Sequence, residues 1–198
     1  MALTGQTGDV EDQRAVVVPY RASWPVEARR LMARLRPGFG DGVVRMDHIG
    51  STAIPRMAAK DVIDLQVSVE DLDLTGPAGP GLEALGFTLS PIGSDHVPAG
   101  RSADAGGWSK RLWLRRQDGE CSVNLHIRRA GSPNERFALL FRDWFRAHPG
   151  AVDAYGAFKL ALSQVCPDVG TYADAKDPMV DVIVIAAEEW AAAVGWQI

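Results

Sequence analysis

Between residues 47 and 67 the chain reads DHIGSTAIPRMAAKDVIDLQV, and this stretch collects the residue types that phosphate chemistry uses. At Gly50-Ser51-Thr52, backbone N–H groups can point outward at a phosphate, glycine allows close approach, and the hydroxyls add donors. A glycine-serine turn is more often only a turn, and the segment lacks the spacing of a Walker A loop, which needs Gly, four residues, then Gly-Lys-Ser/Thr. The combination is more specific: thirteen positions after Ser51, Asp64 stands inside an apolar strand. A turn for phosphates followed by a strand carboxylate for metal is the division of labour that phosphoryl and nucleotidyl transfer need. Charge on the phosphate oxygens must be offset while the leaving group stays in line. Asp64 is the candidate ligand for Mg2+ or Mn2+.

Alternate side chains of a strand share a face, so Asp64, Gln66 and Ser68 point one way and Ile63, Leu65, Val67 and Val69 the other. The same arithmetic groups Ser122, Asn124, His126 and Arg128 opposite Val123, Leu125 and Ile127. A sheet with one solvated side explains such faces without any site. A merely solvated face, however, tends towards Lys, Glu and Thr, whereas Asp, Gln, Asn, His and Arg can ligate, orient or pair. His126 is the candidate general base, oriented by Asp64 or Asn124; the alternative is a hydrogen-bonded histidine that locks the sheet. His48 is expected to hold the turn through its ring nitrogens. Lys110 and Arg111 are placed to reach the same pocket, Arg being suited to bidentate phosphate contact.

The elements that must position these residues are legible in part. VVRMDHI and VIDLQVSV read as strands around the turn, and KRLWLRRQDGECSVNLHIRR reads as a β-hairpin about Asp118-Gly119. Ser23 and Pro25 start a helix with Trp24, Ala28, Leu31 and Leu35 on one stripe, and Pro37-Gly38 is expected to end it. Residues 75 to 86 allow only a short helix. Ser132, Pro133 and Glu135 give a capping-box start to a helix whose Phe137, Leu140, Phe141, Trp144 and Phe145 form an apolar stripe, read as core packing. A second helix spans Val152 to Val165, and the last is expected to start at Asp177-Pro178. Lys159 and Lys176 fall in this block, where an ordinary solvated face is the simpler reading. Asp95-His96 and AGRSADAGGW precede the hairpin as a lid or a plain connection. The pattern predicts an α/β (α+β) domain, a mixed sheet with helices on one face and a C-terminal helical block.

At 198 residues the chain suits one domain, residues 15 to 198, behind a flexible tail over 1 to 14. A net charge of -4 gives no reason to expect bulk nucleic-acid binding, so any anion site must be local. No stretch approaches a membrane span and the N-terminus lacks the form of a signal peptide, which predicts a cytoplasmic protein. Cys121 and Cys166 fit no metal spacing and are expected to be free thiols.

The motif from His48 to Val67 resembles the GrpB family, whose members carry a version of HIGSTAIPxxxAKDVIDLQV. The resemblance continues through VVVPYRASW, NLHIRRAGSPNERFALLFRDWFRAHP, YGAFKLAL and YADAKDPMVD, from Val16 to Trp196. It is similar above all to the GrpB-like accessory or folding domain fused behind dephospho-CoA kinase in actinobacteria. With no Walker A sequence here, dephospho-CoA kinase is implied as a partner rather than as an activity of this chain. The resemblance implies a nucleotidyltransferase-like fold with the polar sheet face as its pocket. It implies binding of a nucleotide or other phosphorylated small molecule, with His48, Gly50, Ser51, Lys60, Asp64, Gln66, Asn124, His126, Arg128, Lys159 and Lys176 at matching positions. A two-metal transferase has a second acid where this chain has Gln66 and acids on the neighbouring strand where it has Asn124 and His126, which weakens metal binding.

Overall fold

The computed structural model describes residues 14–73, 78–102, 106–117, 119 and 121–198. Residues 1–13 of the expected tail and Asp118 of the expected turn lie outside them. In chain order the elements are β1 (Val17–Val18), α1 (Trp24–Phe39), β2 (Val43–Ile49), β3 (Ala59–Lys60), β4 (Val62–Val69) and α2 (Gly79–Ala84). They continue with β5 (Thr88–Leu89), β6 (Arg111–Arg115), β7 (Ser122–Arg129), α3 (Pro133–Ala147), α4 (Pro149–Val165) and α5 (Val169–Val194).

A five-stranded mixed sheet runs in the order β2-β4-β7-β6-β5, with β1 and β3 paired separately. β4 pairs antiparallel with β2 and parallel with β7, and β6 with β7 forms the expected antiparallel hairpin. The period-two pattern of β4 and β7 has its physical cause here: Ile63, Leu65, Val67, Val123, Leu125 and Ile127 are fully buried on one face. Trp24, Ala28, Leu31 and Leu35 of α1 and Leu82 of α2 pack on that face. Each such buried side chain contributes about 1.5–3 kcal/mol relative to exposure. The opposite, polar face meets the helical block, where Phe141, Phe145, Val152, Tyr155 and Ile183 surround Ile54 and Met57 from the loop after β2.

Several local expectations are corrected. Helix α1 runs through Pro37 to Phe39, because Phe39 packs on the core beyond the proline. Helix α5 begins at Val169, with the Asp168 side chain accepting the Thr171 N–H, and Pro178 lies inside it. Buried Tyr172 on one side of Pro178 and Val180 and Ile183 on the other carry the helix past a residue that removes one hydrogen bond. Helix α3 starts where its signal places it, yet the capping box does not close. The Ser132 hydroxyl turns to Arg129 O and Asn134 Oδ1, while Glu135 accepts the Gly131 N–H at 2.7 Å. Cys121 and Cys166 are free, and burial pushes the Cys121 thiol up to about 12.

Candidate functional site at the Gly50 turn

The parallel register of β4 on β7 sets Asp64 beside Asn124, Gln66 beside His126 and Ser68 beside Arg128. Asp64 and His126 therefore look out of the same face. Asn124 Nδ2 donates to Asp64 Oδ1 at 2.7 Å, and His126 Nε2 lies 3.7 Å from the same oxygen. Burial raises the Asp64 carboxyl, but His126, Asn124 and Lys60 outweigh it and hold the carboxyl below its usual range.

The turn follows directly, since Ile49, the last residue of β2, pairs with Asp64. Gly50 takes φ 66° and ψ -170°, a conformation that side chains do not tolerate. A Cβ there would lie 2.5 Å from Asp64 Oδ2, so glycine is needed both for the backbone and for the approach of the carboxylate. Ser51 Oγ accepts from Lys159 Nζ at 2.8 Å. His48 Nε2 and Thr52 Oγ1 are 2.9 Å apart and both residues are buried, which fits the expectation that His48 holds the turn. Arg146 donates twice to Ala53 O, and Arg142 donates to His48 O. Burial, with Arg146 and Arg142 nearby, lowers His48 to about 4 against the pull of Asp64, so its ring is neutral at pH 7.

Lys60, Lys159 and Lys176 converge here, although the last two read as solvated in sequence. Lys159 is 2% exposed and its ammonium lies 4.9 Å from the Tyr155 ring centroid. Lys60 stands 5.6 Å from that of Tyr172. Burial first, then Lys176, lowers Lys159 to about 7 against the pull of Asp64; burial also lowers Lys60, with Lys176 and Arg116 adding to it and Asp64 opposing. Between about 7 and the ordinary 10.5 the unfolded chain binds the Lys159 proton more tightly than the folded one, so stability rises with pH across that window. Relative to Lys159→Met, wild type should gain roughly 1 kcal/mol per pH unit between pH 7 and 10 in urea titrations. A difference that stays level with pH would refute this.

Other candidates are engaged within the protein. Gln66 is fully buried; its Oε1 accepts from Arg128 at 2.5 Å and its Nε2 donates to Glu135 O at 3.3 Å. Arg128 donates to both Asp95 oxygens and lies 3.2 Å from His126 Nδ1, so it serves the interior rather than a free phosphate. A guanidinium only donates; His126 Nδ1 must accept, and the neutral ring carries its proton on Nε2, facing Asp64. The lone pair that a general base would use is turned to Arg128. Burial and Arg128 lower the ring against Asp64, so its geometry is that of a donor to Asp64. Arg111 pairs across from Ile127 and donates to Leu72 O and Asp73, whereas the β6 partner of His126 is Leu112. Arg111 therefore lies on the other face, and Lys110 is committed to Asp95 at 2.7 Å.

Arg116 is a site residue that the sequence reading passed over: its Nη2 donates to Asn124 Oδ1 at 2.6 Å. It follows Arg115, whose partner Val123 is on the core face, so alternation carries Arg116 to the Asn124 side, and only the pairing of β6 with β7 shows that it reaches Asn124. The Tyr155–Lys159 pair, four apart on α4, was the one available signal for the buried lysine. Asp95, read only as part of a loop, is the hub that Lys110, Arg128 and Asn134 share. Among the described residues no group of three or more His, Cys, Asp or Glu side chains could hold a metal ion. One carboxylate flanked by N–H donors and lysines does not fit Mg2+ or Mn2+, which draws on several oxygen ligands. A cleft of about 540 Å³ lies elsewhere, lined by Trp108, Arg136 and Glu188. No helix among the described residues is long and apolar enough to cross a membrane.

Comparison with known proteins agrees with this fold. The chain is 38% identical over 196 residues to a dephospho-CoA kinase of Mycobacterium tuberculosis, covering 92% of this chain and 48% of that protein; it thus spans about half the length of these relatives. It is 30% identical to the UPF0157 protein YqkA of Bacillus subtilis, over 90% of this chain and 48% of that one. It is also 30% identical to a UPF0157 protein of Deinococcus radiodurans, over 88% and 82%. The crystal structure of the conserved protein GrpB from Enterococcus faecalis superposes with a TM-score of 0.70 at 24% identity, covering 88% of this chain and 99% of that one. The family model described as GrpB protein matches residues 14–185, and the chain belongs to the GrpB family.

Proposed function

We propose that the Gly50 turn and the β4–β7 face bind a phosphorylated small molecule, with a nucleotide as the first ligand to test. The observation that carries this reading is the Lys159–Ser51 hydrogen bond, which anchors a buried lysine at a glycine turn packed directly on Asp64. Lys60 and Lys176 supply positive charge to phosphate oxygens, Lys159 supplies an amine that a bound anion would hold in its charged form, and Ser51 supplies a hydroxyl. The Asp64 side chain keeps 26% exposure and that of Lys176 28%, so solvent reaches both. Nucleotidyl transfer is the reaction to assay, with Asp64 as the carboxylate that fixes the turn and its neighbouring donors.

Calorimetric titration with nucleoside triphosphates tests the reading. Ser51→Ala should weaken binding about three- to tenfold, in keeping with the loss of one hydrogen bond. Unchanged affinity would remove Ser51 from the site.

A second reading is a non-catalytic module that assists dephospho-CoA kinase. It is favoured by the single carboxylate and by relatives of that name, of which this chain matches about half. If a coexpressed dephospho-CoA kinase is stabilised equally by wild type and Asp64→Ala, the module reading gains; pyrophosphate release lost in Asp64→Asn supports transfer.

A further inference from the structure

Each side chain that stands in for an acid on this face accepts a hydrogen bond from an arginine, or in His126 faces one with its free lone pair. Asn124 Oδ1 accepts from Arg116 Nη2 at 2.6 Å, while its amide nitrogen is spent on Asp64. Gln66 Oε1 accepts from Arg128 Nη1 at 2.5 Å, while its amide nitrogen is spent on Glu135 O. His126 Nδ1 faces Arg128 Nη2 at 3.2 Å, and its other nitrogen carries the proton toward Asp64. A divalent cation needs oxygen or nitrogen lone pairs, and an arginine that holds them cannot be deprotonated to release them. Removing Arg128 from its place would also strand Asp95, which it contacts through both oxygens in a largely buried pair.

The charge around Asp64 is of the opposite kind to that of a metal site. Lys60 from β3, Lys159 from α4, Lys176 from α5 and Arg116 after β6 all lie within electrostatic range of it or of one another. The acids that face them are Asp64 itself and Asp177, which sits 3.4 Å from Lys176. The cations outnumber the carboxylates, so the environment repels a free cation and favours a multiply charged anion.

We propose that, within the phosphate-binding reading above on which this rests, the site holds a terminal dianionic phosphate on lysine ammonium groups in place of a divalent metal. Arg116 and Arg128 are the positioning residues, each placing a guanidinium charge against the groups that would otherwise be offered to a metal. Lys60 and Lys176, joined by Lys159 when the anion is bound, carry the charge that a metal would supply.

The test is equilibrium titration of the full chain with inorganic phosphate and with ATP, once in EDTA and once in excess Mg2+, together with titration of Mn2+ alone. Binding in EDTA within about threefold of that in Mg2+ is expected, with loss of about tenfold or more in Lys60→Met and Lys176→Met. These two lysines are partly exposed, and circular dichroism confirms that the variants fold. Saturable Mn2+ binding lost in Asp64→Asn, or ligand binding seen only with Mg2+, overturns this inference and leaves the phosphate reading standing. If neither probe binds in either buffer, both fall.

Discussion

Gly50→Ala is expected to destabilise the protein by roughly 2–4 kcal/mol and to abolish binding at the turn. Two causes act together. The backbone at φ 66° and ψ -170° belongs to a region that glycine alone occupies without strain. The added methyl would also meet Asp64 at 2.5 Å from Oδ2 and 3.0 Å from Cβ. The second distance is the decisive one, because Cβ of a central strand cannot move aside as a flexible side-chain end could. Relief requires the turn to lift from β4, which separates Ser51 from Lys159. Urea unfolding measures the stability and phosphate titration the site; a variant within about 0.5 kcal/mol of wild type would show that the turn is not packed as described.

Asp95→Ala is expected to cost roughly 3–5 kcal/mol, the range for removing one partner of a buried ion pair. Asp95 Oδ1 accepts from Lys110 at 2.7 Å and Arg128 Nη2 at 3.0 Å, and Oδ2 from Arg128 Nε at 2.8 Å and Asn134 at 2.9 Å. The side chains of Lys110 and Arg128 are 8% and 6% exposed, so the substitution leaves two cations nearly out of water with no counter-charge. Although burial raises the Asp95 carboxyl, Arg128 and Lys110 bring it well below the usual range. Its stabilisation is therefore present above the ordinary carboxylate pKa of about 4 and is lost as pH falls through the lower folded value. Wild type should keep its full advantage over the variant from pH 5 upward and lose it progressively in acid. A gap that is small at pH 7, or that widens in acid, would contradict this account. Because Arg128 also serves Gln66 and His126, the variant should disturb the polar face as well.

How far the site could be read from the chain depends on the range of the interaction involved. The alternation in VIDLQVSV and SVNLHIRR is a local property, because a strand of this kind must put its apolar side chains into the core. It yielded the correct faces for Asp64, Gln66, Asn124 and His126, just as SPNE marked the start of α3. Gly50 was legible for a similar reason, since only glycine suits such a backbone. Prolines misled at Pro37 and Pro178, where packing of Phe39 on one helix and Val180 and Ile183 on the other overrode a local breaker. Arg111 failed because alternation gives the period of a strand and not its phase against a neighbour; the pairing with Ile127 turned it away.

The sequence alone thus determined the chemical inventory and the side of each strand on which it stands, because steric and hydrophobic periodicity act over a few residues. Tertiary structure alone decided that β4 and β7, some sixty residues apart, lie side by side, and that Lys159 reaches Ser51 from a distant helix. It also decided which lone pairs Arg116 and Arg128 take up. Hydrogen bonds and charge pairing depend on distances of an ångström between remote atoms, and no local pattern encodes those.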